Sequence, residues 1–501
     1  MICVSLGRTR HKMMIAEHQR LAERGAQLVE LRLDWLGSPP DLGRLLKNKP
    51  TPVVITCRRS HDKGLWKFTE EQRLTLLRAA IVAGVDYVDL EEDIAGTIRR
   101  YGPTKRIISY HNFDETPDNL EEIHARLLQH DPDVVKIVTL AKTPADNIRM
   151  LQVVRDSPKP TVGFCMGDLG VWSRICCAKY GSPFTYATFS SERTMAPGQL
   201  TYEETRDVFH FDRINRETRV FGVVADPVAH SLSPLIHNAA YRHLGLNAVY
   251  LPFRVPRDEF KQTLDEFDWL DVRGYSVTLP HKVAALEMTS TYDGPVKEIG
   301  ALNTLYRDSS GKWVGANTDC DAALESLRLA YDSKGDSVQP AEDPLIGKRV
   351  LILGAGGVAR AIATGLMKAG AVVTITNRTK AKAAELAKQL GCLIVGWENR
   401  GAAGCDILIN CTSVGMHPKV DDTPFAQHWL TDTMTVFDTV YTPERTLLIA
   451  HARERGCKTV TGVEMFVRQA ARQFQLFTGQ PAPTDVMRDA LRRAISVVKV
   501  S

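Results

Sequence analysis

The chain has 501 residues, 44% hydrophobic and 24% charged, with a formal net charge of +4. That is ordinary globular composition, long enough for roughly three domains with large cores. The near-neutral balance points to neither a nucleic-acid partner nor an anionic membrane, and no run approaches the roughly 18 apolar residues of a membrane span.

The opening residues "MICVSLGRTRHK" have no signal-peptide layout and read as a first strand, leaving no room for a transit peptide. Ten cysteines are scattered, mostly in apolar strands, and none forms a C-x-x-C pair. Zinc or a redox dithiol is not expected, and a reducing, cytoplasmic setting is.

Short apolar runs recur through the first 190 residues: "ICVSL" (2–6), "LVELRLD" (28–34), "VVITCR" (53–58), "VDYVDLE" (85–91), "RIISY" (106–110), "VVKIV" (134–138), "TVGFCM" (161–166) and "FTYATF" (184–189). Helical spacing fills the gaps, as in 69–84 and 119–130. Strand–helix alternation implies a parallel sheet, and eight units imply a closed (β/α)8 barrel; an open doubly wound sheet is the alternative.

Side chains alternate along a strand. Val29, Leu31 and Leu33 share one face, so Glu30, Arg32 and Asp34 point into the barrel. By the same parity Asp89 and Glu91 point inward, and Lys136 lies opposite Val135 and Ile137, near the end of strand six. Arg58 ends strand three, His111 follows strand five and Arg174 follows strand seven. These groups converge on the end of the barrel that carries catalysis in such folds. A lysine desolvated among cations is a usable nucleophile toward a ketone, and the protonated imine acidifies the adjacent C–H. A nearby histidine can take that proton and return it to a leaving hydroxyl, while arginines hold a carboxylate. The pattern alone leaves a dehydratase and an aldolase both open.

The motifs "ELRLD" (30–34), "TCR" (56–58), "SYHNFDETP" (109–117), "VVKIV", "MGDLGVWSR" (166–174) and "MAPGQL" (195–200) resemble the type I 3-dehydroquinate dehydratases over residues 1 to about 210. The resemblance implies that Lys136 forms the imine and His111 is the general acid/base. It implies that Glu30, Arg32, Arg58, Arg174 and Gln199 bind substrate, with Asp62 and Asp89 as supporting carboxylates. Two positions depart from the family. Met195 stands where serine is usual, and Asp62 replaces a glutamate, which would loosen the orientation of His111.

A charged stretch, 209–219, precedes a new strand "VFGVVAD" (220–226), placing a boundary near 215. A polar segment, 331–348, reads as a loop before "RVLILGAGG" (349–357). This strand, Gly-rich turn and helix let the backbone approach a pyrophosphate. The following strand ends in Asn377, Arg378 and Thr379 rather than in a carboxylate, so a 2′-phosphate and hence NADP is favoured. Upstream, Lys282 follows a proline at an expected helix start, and Asp319 sits at an expected N-cap. As a pair they could pass a proton to a carbonyl oxygen while hydride reaches carbon.

The set "DPVAHSLSPLIHN", "SVTLPHK", "GALNTL", "GANTD", "GAGGVARA", "NRT", "NCTSVGM" and "VEMFVRQA" resembles shikimate dehydrogenase over residues 220 to 500. The resemblance implies Lys282 and Asp319 as the catalytic pair. It implies substrate contacts from Ser231, Ser233, Thr278, Asn303, Tyr441 and Gln469. NADP contacts would come from Gly354, Ala355, Gly356, Gly357, Asn377, Arg378, Thr379 and Gly462.

The expected layout is therefore α/β throughout. A TIM barrel occupies 1–215, and a substrate-binding domain 216–330 is completed by helices at about 470–501. A Rossmann NADP-binding domain occupies 331–469. The expected partners are small molecules, with NADPH the only cofactor and no metal. The family resemblance implies two consecutive steps: 3-dehydroquinate to 3-dehydroshikimate, then to shikimate. A catalytically weak or regulatory half, or a reductase preferring quinate, is the alternative.

Overall fold

The computed structural model describes residues 1–331 and 342–496. Of the loop expected over 331–348, residues 332–341 lie outside the described residues, as do 497–501 at the end of the expected C-terminal helices. The chain divides into two compact units. One is Met1–Val220 with Pro227–His230 and Asn247–Val272; the other is Phe221–Asp226, Ser231–Leu246 and Arg273–Ser501.

The first unit contains β1 (Ile2–Leu6), β2 (Leu28–Arg32), β3 (Val53–Thr56), β4 (Tyr87–Glu91), β5 (Lys105–His111), β6 (Val134–Leu140), β7 (Thr161–Met166) and β8 (Thr185–Thr188). They pair in parallel in the order β7-β6-β5-β4-β3-β2-β1-β8. Among the described residues no ladder joins β7 to β8, so the barrel is nearly closed; Phe164 and Tyr186, from these two strands, bring their ring centroids within 6.5 Å. The intervening helices start where side chains satisfy their first amides. Thr69 and Gln72 form a capping box on Glu70–Val82, and Thr143 with Asp146 does so on Pro144–Asp156.

The alternation of side chains builds the barrel interior in layers. Cys3, Leu28, Val54, Ile107, Val134, Val162, Phe184 and Tyr186 form one apolar cluster. Two residues further along their strands come Ser5, Glu30, Thr56, Asp89, Ser109 and Lys136, all buried. A dry floor thus carries a polar layer one pleat above it.

Beyond the barrel lie β9 (Arg219–Ala225), β10 (Ala248–Arg254), β11 (Val272–Val277), β12 (Tyr292–Asp293), β13 (Thr304–Arg307) and β14 (Trp313–Ala316). β11 and β13 pair antiparallel, as do β13 and β14, whereas β12 and β14 are parallel. The C-terminal helices Gly462–Thr478 and Thr484–Ser496 follow. The first presents Phe474 and Phe477 to His237 and Tyr241 of helix Ser233–His243.

A third sheet contains β15 (Arg349–Leu353), β16 (Val372–Thr376), β17 (Leu393–Ile394), β18 (Ile407–Asn410), β19 (Thr435–Asp438) and β20 (Lys458–Val460). Its order is β17-β16-β15-β18-β19-β20, all parallel. This is the doubly wound dinucleotide-binding order, with apolar clusters on both faces. Its chain reverses direction between β16 and β18, on either side of β15, and the Gly-rich turn leaves from the end of β15.

Two candidate active sites

In the barrel, Lys136 is the third residue of β6, further from the strand end than expected because β6 continues through Thr139 and Leu140 beside β7. Its Nζ donates to Asp89 Oδ2 at 2.9 Å and lies 3.8 Å from Glu30 Oε1. The expectation of a lysine among cations is corrected: its nearest charged neighbours are carboxylates, Asp89 on β4 and Glu30 on β2. The third neighbour is the ring of Tyr186, whose centroid is 3.9 Å from Nζ.

Each carboxylate is itself held. Glu30 accepts from Ser5 Oγ at 2.6 Å and Thr56 Oγ1 at 2.7 Å. Asp89 Oδ1 accepts from Ser109 Oγ at 2.6 Å and Arg58 Nη2 at 3.2 Å. Burial alone would raise the Asp89 carboxyl, but Lys136, Arg58 and His111 together hold it well below the usual carboxylate range.

His111 is the last residue of β5. Its Nδ1 lies 2.7 Å from Arg58 Nη1. A guanidinium only donates, so Nδ1 is the acceptor and the ring is neutral. Burial first, then Arg58 and Lys136, push the imidazole well below its ordinary value. Asp62 does not orient this ring. It sits in the turn Ser60–Asp62 and accepts from Arg59 Nε at 2.7 Å, while Arg59 also reaches Asp93. The expected looseness of His111 is corrected accordingly, since Arg58 rather than Asp62 holds it.

The remaining arginines differ in their partners. Arg32 is clamped by Asp34 through two 2.9 Å bonds, and its Nη1 is 3.8 Å from Met195 Sδ. Arg174, in helix Val171–Cys176, is buried, and the only hydrogen bond of its side chain among the described residues is from Nη2 to Pro197 O at 3.1 Å. Its Nε has no partner among them, its guanidinium lies 4.5 Å from the Phe164 ring centroid, and burial lowers it to about 10. A buried cation with spare donors and no acid is a site for an anion. Gln199 Oε1 accepts the Met195 amide at 2.9 Å.

In the second unit, Lys282 Nζ donates to Asp319 Oδ2 at 2.5 Å, and both side chains are largely buried. Neither lies where helix logic placed it. Lys282 belongs to a turn between β11 and the short helix Ala284–Met288, because its carbonyl accepts from the distant Leu302 amide. Asp319 is the second residue of helix Thr318–Tyr331; Asn317 supplies the capping oxygen, to Cys320 N at 3.4 Å. Asn303 is braced by Thr318, donating to its Oγ1 at 3.0 Å and accepting from its amide at 2.8 Å.

Among the other expected substrate contacts, Ser231 Oγ accepts from Ser233 N at 3.3 Å, and the Thr278 amide is used by Val224 O. Gln469 donates to Phe466 O, one turn back in its own helix, at 3.0 Å, and Tyr441 packs on Phe466 at 4.5 Å between centroids. Gln473, absent from the sequence reading, ties Ser276, Asn303 O and Thr304 Oγ1 together.

The Gly-rich turn fits a dinucleotide. Gly354 has φ +118°, and a Cβ there would meet Cys411 O at 2.8 Å. A Cβ on Gly356 would meet nothing within 4 Å, leaving open backbone at the start of the helix Gly357–Lys368. A Cβ on Gly357 would come within 3.7 Å of Lys282 Cδ, so the turn abuts the catalytic pair. Ala355 is half-buried in the same turn. Asn377 donates to Thr379 O at 3.0 Å, and Arg378 is exposed at the end of β16. Gly462 opens its helix against Val440 O, where a Cβ would come within 2.3 Å.

Sequence reasoning missed Ser5, Thr56, Ser109 and Tyr186. A signal was available for Thr56 and Ser109, which share the parity of Arg58 and His111 on their strands; on β1 and β8, which carry Ser5 and Tyr186, nothing had been singled out. Their types, small hydroxyls and an aromatic in strands, are common in cores and drew no attention.

A (β/α)8 barrel with a buried strand lysine, joined to a dinucleotide-binding unit with a lysine–aspartate pair, defines a lyase–oxidoreductase fusion. Residues 2–216 match the type I 3-dehydroquinase family, 223–305 the shikimate dehydrogenase substrate binding domain, and 462–492 the shikimate 5'-dehydrogenase C-terminal domain. Residues 349–434 also match an NADP oxidoreductase family, coenzyme F420-dependent. The chloroplastic bifunctional 3-dehydroquinate dehydratase/shikimate dehydrogenase of Arabidopsis thaliana is 39% identical over 503 aligned residues, covering 97% of this chain and 83% of that one. The shikimate dehydrogenase (NADP(+)) of Methanothermobacter thermautotrophicus is 39% identical across 56% of this chain and 99% of its own length. A crystal structure of shikimate dehydrogenase from Aquifex aeolicus is similar with a TM-score of 0.50 and 35% identity, covering 56% of this chain and 99% of that one. The chain belongs to the bifunctional 3-dehydroquinate dehydratase/shikimate dehydrogenase family.

Proposed function

We propose that this chain dehydrates 3-dehydroquinate at Lys136 and reduces the resulting 3-dehydroshikimate to shikimate with NADPH. The observation that carries the reading is the buried Lys136–Asp89–Arg58–His111 chain of 2.9, 3.2 and 2.7 Å contacts at the catalytic end of the barrel.

Glu30, Arg32, Arg58, Arg174 and Gln199 would hold the substrate carboxylate and hydroxyls. The Lys136 ammonium and the ketone give a protonated imine and water; two ammonium hydrogens leave with the oxygen, and nitrogen keeps one hydrogen and the charge. When Arg58 turns to the substrate, the His111 Nδ1 lone pair is freed and removes the proton beside the imine carbon. The enamine then expels the hydroxyl, which takes the same proton from His111 and leaves as water. Hydrolysis of the conjugated imine returns Lys136 and releases the enone.

In the second unit NADPH, when bound, supplies the hydride. Lys282 gives a proton to the substrate carbonyl oxygen, Asp319 as carboxylate holds the ammonium in place, and a proton from water restores Lys282 afterwards. Ser231, Ser233, Thr278, Asn303, Tyr441 and Gln469 would orient the substrate ring. Gly354, Ala355, Gly356, Gly357 and Gly462 would give the cofactor close backbone approach, and Asn377, Arg378 and Thr379 would take its 2′-phosphate. We assign the barrel to 1–215, the substrate domain to 216–330 plus about 470–501, and the cofactor domain to 331–469; the bonds of Gln473 to Ser276 and Asn303 support that completion. Among the described residues no helix is long and apolar enough to cross a membrane. The ten unpaired cysteines support a reducing compartment, which we take to be the cytoplasm.

Borohydride reduction with 3-dehydroquinate, followed by peptide mass mapping, should label Lys136. Dehydration without that label rules the imine out. In the reductase assay Arg378→Ala should lower preference for NADPH over NADH; an unchanged preference removes Arg378 from the phosphate site.

A further inference from the structure

Lys136 Nζ touches three groups: Asp89, Glu30 and the face of Tyr186. The first two act through hydrogen bonds or simple charge, and an ammonium can satisfy both because it has three N–H donors. The imine nitrogen has only one. On condensation it must give up donors, while the positive charge remains and spreads onto the substrate carbon. The aromatic face needs no hydrogen from that nitrogen, because its quadrupole attracts the charge itself.

The geometry suits that task. Tyr186 comes from β8 and is 5% exposed, wedged between Phe164 and Phe184 at 6.5 and 5.7 Å. The 3.9 Å separation from Nζ to its centroid is well inside the roughly 6 Å range of a cation over a ring. Its hydroxyl is buried with no hydrogen-bond partner among the described residues. Burial also holds that hydroxyl well above its ordinary value, so it stays neutral and moves no proton. The ring, rather than the phenol oxygen, is what this residue brings to Lys136.

We infer that Tyr186 is a catalytic residue of the dehydratase, its ring face stabilising the cationic imine nitrogen at Lys136 after the ammonium's hydrogen bonds to carboxylate are reduced. This rests on the imine reading of the barrel, and it adds a group to the chemistry without altering the substrate.

The test uses the full chain, 3-dehydroquinate and borohydride, reading both the labelled fraction of Lys136 and the dehydration kinetics. Tyr186→Phe keeps the ring and should stay within about 2-fold of the wild type in both. Tyr186→Leu should lower kcat and the trapped imine together by about 3- to 30-fold, with KM little changed. Leucine also removes the packing of the ring, so phenylalanine analogues with one, two and three ring fluorines at 186 give a shape-conserving series. Trapped imine should fall with each fluorine as the quadrupole weakens. A flat series with wild-type labelling intact overturns this proposal alone, as does a phenylalanine variant as poor as leucine. A wild type that dehydrates without label overturns the imine reading and this proposal with it.

Discussion

Arg58 serves two partners at once. One Nη donates to Asp89 and the other to His111, and the arginine's own charge is held up by Asp89 and Glu91 against the cost of burial. The consequence falls on His111, kept in its base form well below the ordinary histidine range. The group is deprotonated over the working range, so the acid limb of kcat/KM for dehydration should lie well below pH 6.5. Arg58→Gln removes the adjacent cation. Burial, the larger cause, still holds the imidazole below its ordinary value, but without the Arg58 charge the acid limb should move up while staying below about pH 6.5; an unmoved limb would mean that Arg58 does not help to set the base. At this scale strand parity pointed Glu30 and Lys136 into the barrel, where both are buried, and placed Arg58 and His111 only at the ends of their strands. It could not place Asp62, because the direction of a turn side chain is decided by which partner it finds, here Arg59.

The strands were legible because a period of two is imposed by the pleat whatever surrounds it. The turn at "LPHK" was not: Pro280 suggested a helix start, but the Lys282 carbonyl is spent on Leu302. A strand end also carries an element-level liability. Asp438, the last residue of β19, is fully buried and accepts from Thr446 Oγ1 at 2.6 Å, Asn410 Nδ2 at 2.9 Å and Val440 N at 3.0 Å, with no ion pair among the described residues. Burial, offset in part by those bonds, raises it from 3.8 to about 6. A raised carboxyl favours folding below pH 3.8 and loses that contribution as pH rises through about 6, at most about 3 kcal/mol. Asp438→Asn should therefore flatten the fall in Tm between pH 4.5 and 7.5 by several degrees. Parallel wild-type and variant curves would show that Asp438 is not the titrating group. His237, buried and lowered to about 3, acts in the opposite sense, losing its contribution as pH falls from 6.5.

On the scale of the whole molecule, each catalytic lysine finds its charged partners within its own unit. The two reactions should therefore be separable. Lys136→Ala should abolish dehydration by at least about 10^3-fold and leave reduction of added 3-dehydroshikimate within about 2-fold, whereas Lys282→Met should do the reverse. Mixing the two variants should restore shikimate formation from 3-dehydroquinate and NADPH, followed by absorbance of the cofactor. Loss of both activities in either variant would contradict the separation. The sequence by itself determined the strand–helix alternation, the inward parity of the barrel charges and the Gly-rich turn, since each depends on local periodicity or on a residue type with a single backbone use. Only the tertiary structure decided that carboxylates rather than cations flank Lys136, that Arg58 holds His111, that Arg32 is taken by Asp34 while Arg174 keeps spare donors, and that an aromatic face from β8 lies against the reacting amine. Apart from Arg32 and Asp34, which are two residues apart, these neighbours come from segments distant in the chain, and which groups end up adjacent is set by sheet register and barrel curvature, neither of which is written in any one strand.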